Sequence, residues 1–449
     1  MSEHPERGAL PRRLGFWSAV AVLVGSTIGS GIFRSPAGIA DRLPGPLPLA
    51  IVWVTGGLFA LCGALTLAEV GSAFPETGGV YVYIREGFGR MPAFLFGWSE
   101  LVIIRAASLG AIAITFAEYA LRVAGYNPAL APYDTYAHYI AAIGIAGLGT
   151  VNIVGVKWSS LVLNATTLAK YGALVFIILF AIAIGLPHTH GAYFTPVTPP
   201  GSFTLPAFGL ALVSTLWAYD GWADLSFVAG EVRDPQRNVP RALITGTLAV
   251  IGIYLLANIA YLAVMPVDQI RHSPLVAADV AQRLMGQPGV AFVGITVMLS
   301  TFGTLTGSLL TAPRIFFAMA DDGLFFKRVA SVHPRFKTPW VAIGLSSILG
   351  IIFVLLRNFE QLADTFVTAI VPFYALGVAA VFVLRQRKGY APPFRVPGYP
   401  VVPALFVLST IYLLANALWS PSSRWGTAAV FGVVLAGIPV YYLTVGKRR

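Results

Sequence analysis

Of 449 residues, 57% are hydrophobic and only 11% charged, with 30 Lys and Arg against 19 Asp and Glu. A mean hydropathy of +0.76 excludes an ordinary soluble domain and makes the bilayer the solvent to reason in. A membrane span needs about 20 mostly apolar residues. On that measure the chain divides into about twelve: 15–40, 46–74, 92–121, 138–154, 158–186, 205–231, 242–264, 289–319, 339–356, 361–385, 401–419 and 425–445. The expected fold is an all-α membrane protein, one transmembrane unit over 1–449 with almost nothing left for a soluble domain. The first apolar run is too long for a cleavable signal peptide and is expected to stay in the membrane.

An even number of spans puts both ends of the chain on one side, and basic residues indicate which. Arg7, Arg12 and Arg13, the loops holding Arg85, Arg90, Lys157, Arg233, Arg237, Arg241, Lys327, Arg328, Arg335, Lys337, Arg385, Arg387, Lys388 and Arg395, and the end Lys447–Arg449 share one side. The other side holds Arg42, Arg122, Arg271, Arg283, Arg357 and Arg424. Both termini are therefore expected in the cytoplasm of a cell whose plasma membrane the chain crosses. The net charge of +11 then needs no nucleic acid to explain it, because anionic lipid accounts for it.

The first span contains Val24–Phe33, VGSTIGSGIF, with Gly25, Gly29 and Gly31 among Ser26, Thr27 and Ser30. Gly25 and Gly29 have the spacing of a close helix crossing. The whole cluster also fits an unwound stretch, which a membrane tolerates only where the freed backbone faces a cavity or ligand. The sixth span places Asp220, Gly221 and Asp224 inside the apolar run Ala211–Val232. Paired interruptions in corresponding spans point to a binding site at the midplane. A half-helix starting near Ile32 would aim the N–H groups of Gly29, Ser30 and Gly31 at the gap, and that end suits a carboxylate. Half-helices ending near Thr27 and Trp217 would leave carbonyls suited to an ammonium. Both together describe a receptor for a zwitterion, an α-amino acid.

Other chemistry finds little support. His4, His138, His188, His190, His272 and His333 fall in loops or tails. No metalloprotease-type pair lies on a helix, and the His188–His190 triplet reads more simply as a solvated loop. No enzyme activity, cofactor or metal is expected. Cys62 is alone, so no disulfide forms within the chain. No filter element of a channel is visible. A non-transporting amino acid sensor would share the same site, and only flux separates it from a carrier.

Four stretches carry a family resemblance. VGSTIGSGIF, LAEVGSAFPETGGVYVYIREGFG (Leu67–Gly89), AYDGWADLSFVAGEVRDPQRNVPRA (Ala218–Ala242) and GSLLTAPRIFFAMADDG (Gly307–Gly323) resemble, in order, motifs of the amino acid, polyamine and organocation superfamily. SELVIIRAASLGAIAITFAEYAL in span three, with Lys170 in span five, is most similar to the L-type amino acid transporter branch. The resemblance implies a LeuT-type fold: inverted repeats of five helices at 15–186 and 205–385, broken helices one and six, and two further helices at 401–445. It implies that Gly29, Ser30 and Gly31 hold the substrate carboxylate and that the carbonyls of Thr27, Trp217 and Asp220, beside Ala218, take the amine. Trp217 would gate the pocket, an ordinary packed aromatic being the alternative, while Ile104 and Ser108 would line its side-chain end. Light chains of heteromeric relatives carry a cysteine between spans three and four. The stretch 122–137 has none, so no disulfide-linked heavy chain is expected.

Lys170 lies mid-span, where an ammonium costs roughly 3 kcal/mol to bury and calls for a partner. In sodium-coupled members of the fold an ion bridges helices one and eight. The resemblance puts Lys170 near that position, against the carbonyls around Gly25 and the hydroxyls of Ser300 and Thr304. A fixed cation there would remove the need for sodium; the resemblance of span three to exchangers implies exchange, with neutral amino acids as the expected substrates. A lysine that releases its proton would instead support proton symport, and Asp220 leaves cationic amino acids or polyamines open as substrates. Glu69 and Arg105 are expected in internal polar networks or at a gate. Nothing in the sequence assigns Glu100 or Glu118.

Overall fold

The computed structural model describes residues 12, 14–154, 156–329, 331–336 and 338–445, with the side chains of 156–170, 310–314, 317–318 and 321 outside that description. Helices α1 (Phe16–Thr27) and α2 (Gly31–Arg42) meet at a 43° bend. Then come α3 (Pro46–Ala73), the short α4 (Val80–Phe88), and α5 (Arg90–Ser99), which runs through a π-helical turn, Glu100–Ile104, into α6 (Arg105–Val123). Helices α7 (Tyr133–Val154) and α8 (Val156–Thr189) follow. A second interrupted pair is α9 (Leu205–Tyr219) and α10 (Asp224–Phe227), and α11 (Pro235–Val264) comes next. Two short helices, α12 (Val267–Arg271) and α13 (Val276–Met285), lead to α14 (Gln287–Asp321), α15 (Trp340–Leu356) and α16 (Phe359–Leu384). The chain closes with α17 (Val401–Trp419), α18 (Arg424–Leu435) and α19 (Gly437–Thr444).

Among the described residues nine helical stretches are long and apolar enough to cross a membrane, the bent pair α1 and α2 makes a tenth, and α9 and α15 are shorter apolar helices. Their ends follow local chemistry. Pro46 opens α3 behind Gly45, where its missing N–H costs nothing. The Thr204 hydroxyl caps α9 through the Ala207 N–H, and Asn358 with Gln361 forms a capping box on α16.

Two groups of helices emerge from the packing. In one, α11 lies along α1 and α3, and α9 lies against α2 and α3; in the other, α14 and α15 pack on α6 and α15 on α7. Helix α16 touches α3 and α9 on one side and α6 on the other. The outer surface carries exposed Leu248, Leu256, Ile295, Leu299, Ile348, Leu405, Leu408 and Ile411, an apolar coat that suits lipid rather than water.

Candidate functional site

The two helix breaks lie directly on one another. Gly221, at φ +105°, takes a backbone conformation that a side chain would strain, and a Cβ there would come within 2.7 Å of the Thr27 nitrogen. Reciprocally, a Cβ on Gly31 would overlap Ala218, lying 2.9 Å from its Cβ and closer to its Cα. Each break thus uses a glycine to admit the other's backbone. The Gly25 and Gly29 spacing serves no such crossing at Gly29, whose missing Cβ faces the Thr304 side chain at an ordinary 3.8 Å.

Helix α2 starts at Gly31 with Ser30 in the capping position, one residue before the expected start, and α9 continues to Tyr219, past Trp217. These boundaries change which backbone groups are free. The Gly29 N–H, expected to face the gap, instead donates to the Thr27 carbonyl at 2.9 Å, and the Trp217 carbonyl takes the Asp220 N–H at 3.3 Å. Broken ends buried in a bundle recycle their own polar groups because an orphaned one is costly. The N–H groups of Ser30 and Gly31 have no backbone acceptor among the described residues; they sit at the positive end of α2.

The opposite pole is organised by a residue that sequence reasoning missed. Tyr254 on α11 places its hydroxyl 2.8 Å from the Thr27 carbonyl and 2.9 Å from that of Ala218, so one proton is shared between the ends of α1 and α9. Two further tyrosines hold the first turn of α2: Tyr261 donates to the Ile32 carbonyl at 3.2 Å and Tyr119 to that of Phe33 at 3.3 Å. The seven-residue spacing of Tyr254 and Tyr261 puts both on one helix face, which is the only sequence signal they carried.

Trp217 is buried, with its ring edge-on to Phe359 at 6.0 Å and Phe366 at 5.1 Å, both on α16. Its indole N–H has no acceptor among the described residues. Ile104 and Ser108 are buried on the π turn and α6, which pack on α16. The Thr304 hydroxyl is spent on the Ser300 carbonyl at 2.9 Å, while the buried Ser300 hydroxyl has no partner among the described residues. The Lys170 side chain lies outside the described residues, and Gly25 engages in an interaction of its own.

Beside the breaks stands a charged cluster. The Asp220 carboxylate accepts from Tyr374 of α16 at 2.9 Å. Arg105 pairs with Glu100 at 3.1 Å and feels the charges of Asp224 and Asp220. Five residues apart on an α-helix, Glu100 and Arg105 would point about 140° away from each other. The π turn, closed by the Arg105 N–H on the Glu100 carbonyl, is what stacks them.

Both ends of the bundle are latched. On the face away from the termini, Arg34 of α2 bonds Glu118 of α6 and Glu360 of α16, each at 3.0 Å, under the Phe359 ring. Arg42 reaches Asp364 at 3.1 Å and also bonds Ser214. On the terminal face, fully buried Glu69 of α3 takes two bonds from Arg385, at 2.9 and 2.6 Å, and one from the Val396 N–H. Nearby, Tyr81 and Arg85 converge on Asp322, and burial reinforced by that carboxylate pushes the Tyr81 hydroxyl well above its ordinary range.

Two interrupted helices cross at their breaks, with amide groups at one pole and carbonyls at the other, an arrangement that fits the two ends of a zwitterion. Residues 14–438 match the amino acid permease family, and the chain belongs to that family: it is a multi-pass membrane transporter of amino acids, not an enzyme. It is 33% identical over 443 residues to the serine/threonine exchanger SteT of Bacillus subtilis, covering 98% of each chain. It is 32% identical over 446 residues to the human b(0,+)-type amino acid transporter 1, covering 99% of this chain and 90% of that one. The human large neutral amino acids transporter small subunit 2 is 33% identical over 445 residues, at 97% and 81% coverage.

Proposed function

We propose that the chain is a sodium-independent exchanger of neutral L-amino acids in the plasma membrane, with both termini cytoplasmic and no disulfide-linked heavy chain. Its twelve helical spans would form a LeuT-type fold, with repeats at 15–186 and 205–385 and two further helices at 401–445. The observation that carries this reading is the mutual crossing of the two breaks. The N–H groups of Ser30 and Gly31 would receive the substrate carboxylate. The carbonyls of Thr27 and Ala218, now held by Tyr254, would share their remaining lone pairs with the amine. Asp220 and Trp217 would complete the amine end and its cover, while Gly29, Ile104 and Ser108 would shape the pocket. The names of the bacterial and neutral-amino-acid relatives support exchange and neutral substrates.

Lys170 would stand in for an ion beside Gly25, Ser300 and Thr304. Replacing it with alanine is expected to slow exchange at least ten-fold while changing substrate affinity by less than three-fold, roughly the split that a 1.4 kcal/mol-per-decade scale makes readable.

A second reading, proton-coupled symport or transport of cationic amino acids or polyamines, draws on one observation. Among the described residues Glu100, Asp220 and Asp224 outnumber Arg105 in the cluster beside the breaks, and excess buried charge calls for a compensating proton or cation. Uptake of labelled amino acids into sodium-free proteoliposomes, preloaded or empty, with and without an inward proton gradient, decides between them. Uptake that needs internal amino acid and ignores the gradient is expected. Gradient-driven uptake into empty vesicles would replace the exchanger reading with symport.

A further inference from the structure

Asp220 is the acid in the break with the strongest claim on a substrate's charge, since it follows Ala218 and Tyr219 and precedes the glycine that presses on Thr27. Its carboxylate is nevertheless committed elsewhere. The Tyr374 hydroxyl, 2.9 Å from Asp220 Oδ1, has a single proton to give and gives it there.

Arg105 does not do the same work. Its guanidinium already meets Glu100 at 3.1 Å, and that pair is neutral as a unit, so its hold on Asp220 is only a field. Asp224 lies four residues further on, at the first position of α10. Among the described residues, the hydrogen bond that Asp220 receives from outside its own loop is therefore that of Tyr374.

The Tyr374 ring is fixed independently of its hydroxyl. It packs tilted at 60° against Trp222, 5.1 Å between ring centres, and Trp222 packs in turn against Phe406 at 5.9 Å. Both rings are buried. Phenylalanine in place of Tyr374 would keep that packing and delete only the donor, leaving a carboxylate in the break with an open acceptor site. A carboxylate short of a donor in a low-dielectric site attracts cations strongly.

Resting on the neutral-substrate reading above, we infer that Tyr374 sets the charge selectivity of the site: by bonding Asp220 it holds the carboxylate toward α16 and withholds it from a cationic amino acid side chain. An acid that the sequence offers as a cationic-substrate residue thus becomes part of a neutral-substrate pocket through a tyrosine 154 positions away.

The test compares uptake of labelled L-lysine with labelled L-leucine and L-serine in proteoliposomes holding wild type, Tyr374→Phe, or the double variant Tyr374→Phe with Asp220→Asn. The lysine-to-neutral ratio is expected to rise at least ten-fold in Tyr374→Phe and to fall back toward the wild-type value in the double variant. Where a variant does not turn over, displacement of bound leucine by lysine in detergent reads the same ratio without a transport cycle, and thermal unfolding confirms that the variant is folded. An unchanged ratio in folded Tyr374→Phe overturns the inference, and so does a raised ratio that survives in the double variant. Wild-type protein taking lysine as readily as leucine would refute neutral selectivity instead, a result separate from whether Tyr374→Phe moves the ratio.

Discussion

Gly31→Ala tests whether the two breaks depend on touching. The added Cβ would sit 2.9 Å from Ala218 Cβ, 3.3 Å from its nitrogen, and inside contact distance of its Cα. Two of those three atoms are backbone, so no rotamer change relieves the clash and the helices must separate. Overpacking of this kind costs about 1–3 kcal/mol, and separation also displaces the Ala218 and Thr27 carbonyls from the hydroxyl they share. Gly29→Ala is the control, because its Cβ meets the Thr304 side chain at 3.8 Å, an ordinary contact. Thermal unfolding in detergent should place Gly29→Ala near wild type and Gly31→Ala clearly below it, with uptake by Gly31→Ala reduced at least ten-fold. Adding Ala218→Gly removes the Cβ contact and leaves the Cα overlap, so it should restore less than half of the lost stability. Wild-type stability together with full uptake in Gly31→Ala would refute the crossing geometry. The same contacts make a bulky residue at Gly31 a poor probe of substrate binding, since packing fails before any ligand is met.

The two latches should respond in opposite senses. In a Cys62→Ser background with Ser108→Cys as reporter, Arg34→Gln removes both bonds to Glu118 and Glu360 and leaves two partly buried acids unpaired, a loss below the roughly 3–5 kcal/mol of a fully buried pair. Labelling by an impermeant thiol reagent from the face away from the termini should rise at least ten-fold, and Glu118→Gln added to it should recover part of the stability. Glu69→Gln breaks the two-point bond to Arg385 and should raise labelling from the terminal face instead; equal labelling from both faces would mean that neither pair acts as a latch.

What the sequence made legible is what violated its own pattern. Glycines and hydroxyls in VGSTIGSGIF, and carboxylates at Asp220 and Asp224, stand out in apolar runs because a smooth buried helix has no use for them. That they interrupt two separate apolar runs was readable for the same reason. Tyr254 was not, since a tyrosine on an apolar helix face is indistinguishable from core until the carbonyls opposite it are known. Glu100 and Arg105 face apart on an α-helix and meet only through a π turn, which no periodicity announces. Arg34 and Glu118 lie 84 residues apart, and pairing at that distance depends on how α2 and α6 pack. The direction in which the Gly29 N–H points turned on a one-residue difference in where α2 starts, finer than sequence boundaries resolve.

Helix α16 links these parts. Its first turns carry Glu360 and Asp364, the acidic half of the latch away from the termini, and Arg385 at its far end is the basic half of the terminal latch. Between them Phe366 covers Trp217 and Tyr374 holds Asp220. Each latch ties α16 to a helix of the group that contains the breaks, α2 at one end and α3 at the other. If one end released while the other stayed bonded, the breaks would swing away from α16 at that face with the opposite face shut. A carrier needs that property to move substrate without leaking, and a single helix bonded at both ends would supply it.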